Sequence, residues 1–229
     1  MKAGIFPALR SCAIYRTVVC ANGAKIRTNA PLANPVIITQ SHFMESPHRH
    51  DRILAFLQEA GALKDTLRSA RTRDGRSESV AEHSWSLCLL VLLLEPELDG
   101  IDVLKLMRLC LVHDLGEAIS GDVPATEQRP DDGKTDRERA DVATLTAALP
   151  DDLRSGIRDL WEEYEAGETP EARLAKGFDK LETMLQHVAG EQVPGFDYLW
   201  NLGYGRDRTD ATPLLSDLRD RVDALTRAA

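Results

Sequence analysis

The segment from Ile101 to Leu115 constrains this chain more than any other, because it is apolar on nearly all sides of a helix and then closes on His113-Asp114. Val103, Leu104, Leu106, Met107, Leu109, Cys110, Leu111 and Val112 describe a central helix that other helices must cover. An ionised carboxylate closing such a helix costs several kcal/mol unless it is paired or bound to a cation. Asp114 also faces the negative end of the helix dipole, so it needs a positive partner, which a divalent cation would supply.

The rest of the chain reads as helices that could provide the cover. From Arg52 onward, Ile53, Leu54, Phe56, Leu57 and Leu63 recur at helical spacing, and the pattern breaks at Thr72-Arg-Asp-Gly-Arg76, which is expected to be a loop. Ser79-Val-Ala-Glu82 has the form of a capping box, so a helix should start there, run to about Leu94, and carry His83 in its first turns. Ser120 to Lys134 holds Gly121, Pro124, Pro130 and Gly133 among polar residues and reads as a long loop. Helices are expected again at about Thr135–Leu149, at Asp151–Ala166 and from Thr169-Pro170, with Thr212-Pro213 opening the last. No run of alternating strands is convincing after residue 50, so the fold class is all-α. Residues 1–45 show no helical period and stand as an extension before a domain at 46–229. The extension reads as a tail, a small hairpin, or sequence upstream of a natural start at Met44.

Charge and hydropathy exclude several functions. With 28 basic against 37 acidic residues the formal charge is -9, which repels phosphate backbones and anionic lipid, so neither nucleic acid nor a membrane is an expected partner. The longest apolar run, Leu87 to Leu94, is far shorter than the roughly 20 residues that cross a bilayer. Lys2 precedes only a short apolar stretch broken by Pro7 and closed by Arg10, a poor secretory signal, and the expected location is the cytoplasm. Cys12, Cys20, Cys88 and Cys110 have no CxxC spacing and suggest neither a zinc ribbon nor a disulfide framework.

The chemistry rests on residues that are weak signals singly. His50-Asp51 lies among charged residues and reads as solvated side chains, whereas His113-Asp114 closes the most apolar helix. His83 alone reads as a buried polar residue, and Asp179 alone as an ion-pair partner of Lys176 or Lys180. Together, three apolar helices bring donors whose burial is costly unless they converge. Two imidazoles and two carboxylates suit manganese, iron, cobalt, nickel or zinc, and suit calcium poorly.

At these residues the chain resembles the HD-domain metal-dependent phosphohydrolases, in particular their 5'-deoxynucleotidase-like branch. The likeness spans roughly Ile53 to His187 through Glu78-Ser-Val-Ala-Glu-His-Ser-Trp85, Leu111-Val-His-Asp-Leu-Gly-Glu117, Ser120-Gly-Asp122 and Phe178-Asp-Lys-Leu181. It implies a helical bundle with one divalent metal between helices, held by His83, His113, Asp114 and Asp179. No histidine falls between Asp114 and Asp179, which argues for one metal and against the dinuclear members of the superfamily. The resemblance also implies that Glu117 and Asp122 act near the metal-bound water and that Arg68 binds phosphate. Ser69 stands where the deoxynucleotide branch carries a tryptophan, which puts 2'-deoxy selectivity in question. A nucleoside 5'-monophosphate is the implied small-molecule substrate, and a homodimer the implied assembly. The rival readings are a non-catalytic helical module that keeps the metal for structure, and a hydrolase of another phosphomonoester or a nucleotide polyphosphate. For the aromatic cluster Phe196, Tyr198, Trp200 and Tyr204, ordinary packing is the plainer reading and stacking on a base the other.

Overall fold

The computed structural model describes residues 48–129 and 132–228, together with the backbone of two short strands nearer the N-terminus. The chain divides into two units, Met1–Glu45 and Ser46–Ala229. In the first, β1 (Val18–Val19) pairs antiparallel with β2 (Lys25–Ile26). The tail and the start at Met44 lie outside the described residues.

The second unit is helical: α1 (Arg49–Ala60), α2 (Val80–Leu94), α3 (Val103–Val112), α4 (Glu117–Ser120), α5 (Lys134–Leu145), α6 (Asp151–Ala166), α7 (Pro170–Ala189), α8 (Arg206–Thr209) and α9 (Pro213–Ala228). No described helix is long and apolar enough to cross a membrane.

Helix boundaries follow local chemistry. Ser79 and Glu82 form the capping box, each accepting from the other's backbone N–H, and α2 starts on the next residue. The Thr169 and Thr212 hydroxyls accept from Ala172 N and Leu215 N, with a proline opening each helix behind them. α2 buries Val80, His83, Ser84, Leu87 and Val91, a stripe of helical period against α3 and α7. Leu87 and Val91 are fully buried, each contributing about 2 kcal/mol.

α3 packs against α2, α6 and α7, but it is not enclosed on every side. Leu104 and Leu111 are exposed, as are Trp85, Leu92 and Leu93 of α2. An apolar surface beyond what the single chain covers explains why α3 looks central in sequence. On α7, Gly177 allows α9 to approach, because a Cβ there would lie 2.5 Å from Leu215 Cδ1.

The loop expected at Thr72–Arg76 is the turn of a hairpin. β3 (Leu67–Arg71) pairs antiparallel with β4 (Ser77–Ser79), with an irregular register between Leu67 and Arg71. Gly75 adopts φ +82°, open to glycine at little cost, and its N–H donates to Thr72 O. Leu67-Arg-Ser-Ala-Arg71 carries no β-branched residue, so its strand comes from docking and not from propensity. Gln186 Nε2 donates to Arg71 O at 2.6 Å, and Gly190 lets that carbonyl approach the end of α7.

Candidate metal centre and active site

Three helices bring their donors to one place. His83 of α2, His113 at the end of α3 and Asp179 of α7 are buried, and one ligand atom from each lies within 4.8 Å of the others. Asp114 Oδ2 lies 3.0 Å from His113 Nε2 and 3.9 Å from His83 Nε2. Asp179 Oδ1 lies 3.2 Å from His83 Nε2 and 3.9 Å from His113 Nε2.

Each imidazole is oriented through its other nitrogen. His113 Nδ1 lies 2.8 Å from Cys110 O, and a carbonyl only accepts, so Nδ1 carries the proton. His83 Nδ1 lies 2.5 Å from the Glu182 carboxylate, which accepts likewise. Both Nε2 atoms are then left toward the centre, and both are buried without a hydrogen-bond partner. Trp161 Nε1 donates to His113 O at 3.1 Å and fixes the backbone of the His-Asp pair. Asp179 turns Oδ2 toward Lys180 Nζ at 2.8 Å and accepts there from Tyr164 Oη at 3.1 Å. The ion pair with Lys180 is therefore real, and it leaves Oδ1 for the imidazoles.

The electrostatics ask for a cation. Burial and Arg68 lower the His83 pKa, but Asp179 and Glu182 outweigh them and raise it. Asp114 and Asp179 resist the upward push of burial and are held low, Asp114 chiefly by His113 and Asp179 chiefly by Lys180 and His83. Unpartnered buried nitrogens facing ionised carboxylates match the donor set of a borderline divalent metal.

Around this centre lies a cleft of about 640 Å³, counted to its open mouth. Arg68, delivered by β3, donates from Nη2 to Thr183 Oγ1 at 3.0 Å, and its Nη1 lies 3.7 Å from Asp114 Oδ2. Its Nε lies 3.4 Å from Glu78 Oε2 without hydrogen-bond alignment. Burial opposes the Arg68 charge, yet Asp114, Asp179, Asp122 and Glu78 keep it protonated. Ser69 lines the cleft beside it.

Glu117 and Asp122 line the same cleft. The helix of α3 does not persist to Glu117, because the chain passes through turns at 113–116, with Glu117 N donating to Asp114 O at 3.0 Å. Glu117 still faces the site from the start of α4, buried, with Oε2 unpartnered. Burial, Asp114 and Asp122 push its carboxyl well above the usual range. Burial also raises Asp122. His50 and Asp51 are exposed.

Several residues here were given no role in the site by the sequence. Glu182, Glu78, Tyr164, Lys134 and Lys180 all touch or line the site. Glu78 and Lys180 fall inside the quoted motifs, and Glu182 had a signal in its position three residues after Asp179, on the same helix face. Of the aromatic cluster, Phe196, Trp200 and Tyr204 line the cleft, while Tyr198 packs edge-on behind Phe196.

With this geometry in place, comparison with known proteins assigns the class. Residues 60–210 match the family model described as HD domain, so the chain belongs to the HD domain family, with the fold and enzyme class of metal-dependent phosphohydrolases. It is 34% identical over 143 residues to the human 5'-deoxynucleotidase HDDC2, covering 62% of this chain and 69% of that protein. The Dictyostelium discoideum protein of the same name is 34% identical over 149 residues, covering 62% of this chain and 78% of the other. A crystal structure described as a predicted metal-dependent phosphohydrolase from Magnetospirillum magnetotacticum is 30% identical, with a TM-score of 0.61 over 79% of this chain and 94% of its own.

Proposed function

We propose that this chain releases phosphate from nucleoside 5'-monophosphates, using one divalent metal held by His83, His113, Asp114 and Asp179. The carrying observation is the pair of buried Nε2 atoms, unpartnered and within 4.8 Å of the Asp179 carboxylate. The names of the curated relatives support the substrate class. Manganese, cobalt, iron, nickel and zinc all suit these donors. Bound there, the ion supplies Lewis acidity to the phosphoryl group and to water.

The remaining work belongs to the chain. Arg68, largely shielded from solvent and charged, meets the phosphoryl oxygens with a planar fork and offsets charge that grows in the transition state. Glu117, kept protonated by burial and by its neighbour Asp114, holds a proton facing the cleft for the departing 5'-oxygen. Asp122, across the Gly121 turn, orients the attacking water. Lys180 and Tyr164 hold Asp179 still. The reading takes a homodimer as well, supported by the exposed apolar face of Trp85, Leu92, Leu93, Leu104 and Leu111. Sedimentation as a monomer would remove that part.

The decisive test is phosphate release from ribo- and deoxyribonucleoside 5'-monophosphates by chelated protein, with the five metals restored one at a time. Silence without metal and recovery with at least one is the expected result. Undiminished turnover in the chelated protein overturns the scheme.

A further inference from the structure

α7 runs along the floor of the cleft as a ruler. Asp179, Lys180, Thr183 and His187 all line it, and from the first to the last is eight residues, about 12 Å along the helix. The metal cluster stands at the Asp179 end, and Arg68 crosses to Thr183 one turn further on. At the His187 end the wall is aromatic. The His187 and Phe196 rings are 5.0 Å apart, Phe196 meets Trp200 edge-on at 6.4 Å, and Trp200 stacks on Tyr204 at 4.5 Å and 25°. A 12 Å interval is close to the reach of a nucleoside monophosphate from phosphorus to the far edge of its base.

We infer that the wall of Phe196, Trp200 and His187 is a nucleobase subsite that grips the base by its face and does not read its edge. The inference rests on the proposed nucleoside monophosphate chemistry and adds where the base goes and how it is held.

Two observations carry it. First, the wall is rigid, as a stacking platform needs to be. The fully buried Arg219 donates to Asn201 O, Leu202 O and Tyr204 O, at 2.7, 2.9 and 2.7 Å, which clamps the backbone that carries Trp200 and Tyr204. Tyr198 Oη accepts from Val193 N behind Phe196. Lys180 sits between Asp179 and Tyr204, so the wall is tied to the metal end. Second, several polar side chains nearby already have partners in the protein, the buried Asn201 Nδ2 being an exception. His187 Nδ1 meets Asn201 Oδ1 at 3.1 Å, Thr183 Oγ1 accepts from Arg68 and donates to Asp179 O, and Gln128 Nε2 donates to Val123 O. The rings of the wall offer a ligand π surface, and every base has a π face. Edge recognition would need free donors and acceptors aimed into the cleft.

The test is kcat/KM of the metal-loaded enzyme for nucleoside 5'-monophosphates of all four bases and for ribose 5-phosphate and deoxyribose 5-phosphate, which lack a base. Nucleotides should exceed the sugar phosphates about tenfold or more, chiefly through KM, with the four bases within about fivefold of one another. In Trp200→Ala the nucleotide to sugar-phosphate ratio should collapse toward one, and Trp200→Phe should restore it. Phe196→Leu reads the same wall without disturbing the stack on Tyr204. A wild-type ratio near one, a ratio that survives both Trp200→Ala and Phe196→Leu, or one base favoured a hundredfold would overturn the subsite. Binding of adenosine to metal-free protein, followed by tryptophan fluorescence, tests the wall apart from catalysis. If no phosphate ester is cleaved yet adenosine binds and Trp200→Ala abolishes it, the hydrolase scheme fails and the subsite stands. Failure of adenosine to bind at millimolar concentration counts against the subsite.

Discussion

Among the described residues, Arg219 is fully buried and the Arg68 side chain is only 12% exposed, and the two live in opposite circumstances. Arg219 of α9 spends all five N–H groups, on Asp223, Tyr204 O, Thr209, Asn201 O and Leu202 O. Arg68 of β3 makes one described hydrogen bond, to Thr183, and its Nε stays unpartnered near Glu78. Around Arg68 the unpartnered buried atoms accumulate: His83 Nε2, His113 Nε2, Glu78 Oε2 and Glu117 Oε2. A buried polar group without a partner costs about 1–3 kcal/mol, so a fold keeps such a cluster only where something else completes it. The Arg219 region holds the structure, and the Arg68 region waits for ligands.

That contrast can be broken most sharply at Asp114. Asp114→Ala should lower hydrolysis about ten-thousandfold or more, equivalent to over about 5 kcal/mol of barrier, with metal content by mass spectrometry falling to background. A variant that still binds metal and turns over would dissolve the distinction. Arg219→Met strikes the other region: it removes the partner of Asp223 Oδ1, leaving Arg206 on Oδ2, and strips the backbone carbonyls of residues 201, 202 and 204 of their donor. It should cost about 3–5 kcal/mol in urea unfolding, with metal content per folded molecule retained.

Glu117→Gln sharpens the comparison within the site. It should lower kcat about a hundredfold to a thousandfold with metal bound and the fold intact, whereas a purely structural metal module would show no such split. Glu182→Gln removes the carboxylate that orients His83, and metal affinity by competition with a chelator should weaken about 10–100-fold.

The smallest effect is in pH. Burial and Glu182 push the Glu78 carboxyl up to about 7 against the opposing pull of Arg68 and His83. The folded state then keeps a proton that the unfolded chain releases, so this stability is present below about pH 4.5 and is lost as pH rises through 7. Glu117 and His83 are raised too and act in the same direction. Metal-free protein should lose on the order of 1 kcal/mol or more of stability between pH 5 and 8, and metal affinity should rise over that interval as protons leave the site. A metal-free protein whose urea midpoint climbs with pH would contradict the protonation of this cluster.

Much of the molecule was legible in the residues. The caps at Ser79, Thr169 and Thr212 lie where hydroxyl, glutamate and proline patterns put them, because capping is chemistry among near neighbours. The convergence of His83, His113 and Asp179 was legible for another reason: buried donors on separate apolar helices are costly apart. The β3–β4 hairpin was not legible, since Leu67 to Arg71 has no strand pattern and is held by the end of α7, more than a hundred residues away in sequence.

By itself, then, the sequence determined the helical class, most helix starts and the identity of the central donors, all of which depend on local periodicity or on the cost of burying charge. Only the tertiary structure decided which imidazole nitrogen faces the centre, that Glu182 orients His83, and that a hairpin brings Arg68 to the cleft. It alone also set Phe196, Trp200 and His187 along one wall. Those facts depend on contacts between residues far apart in the chain, and no short-range pattern encodes them.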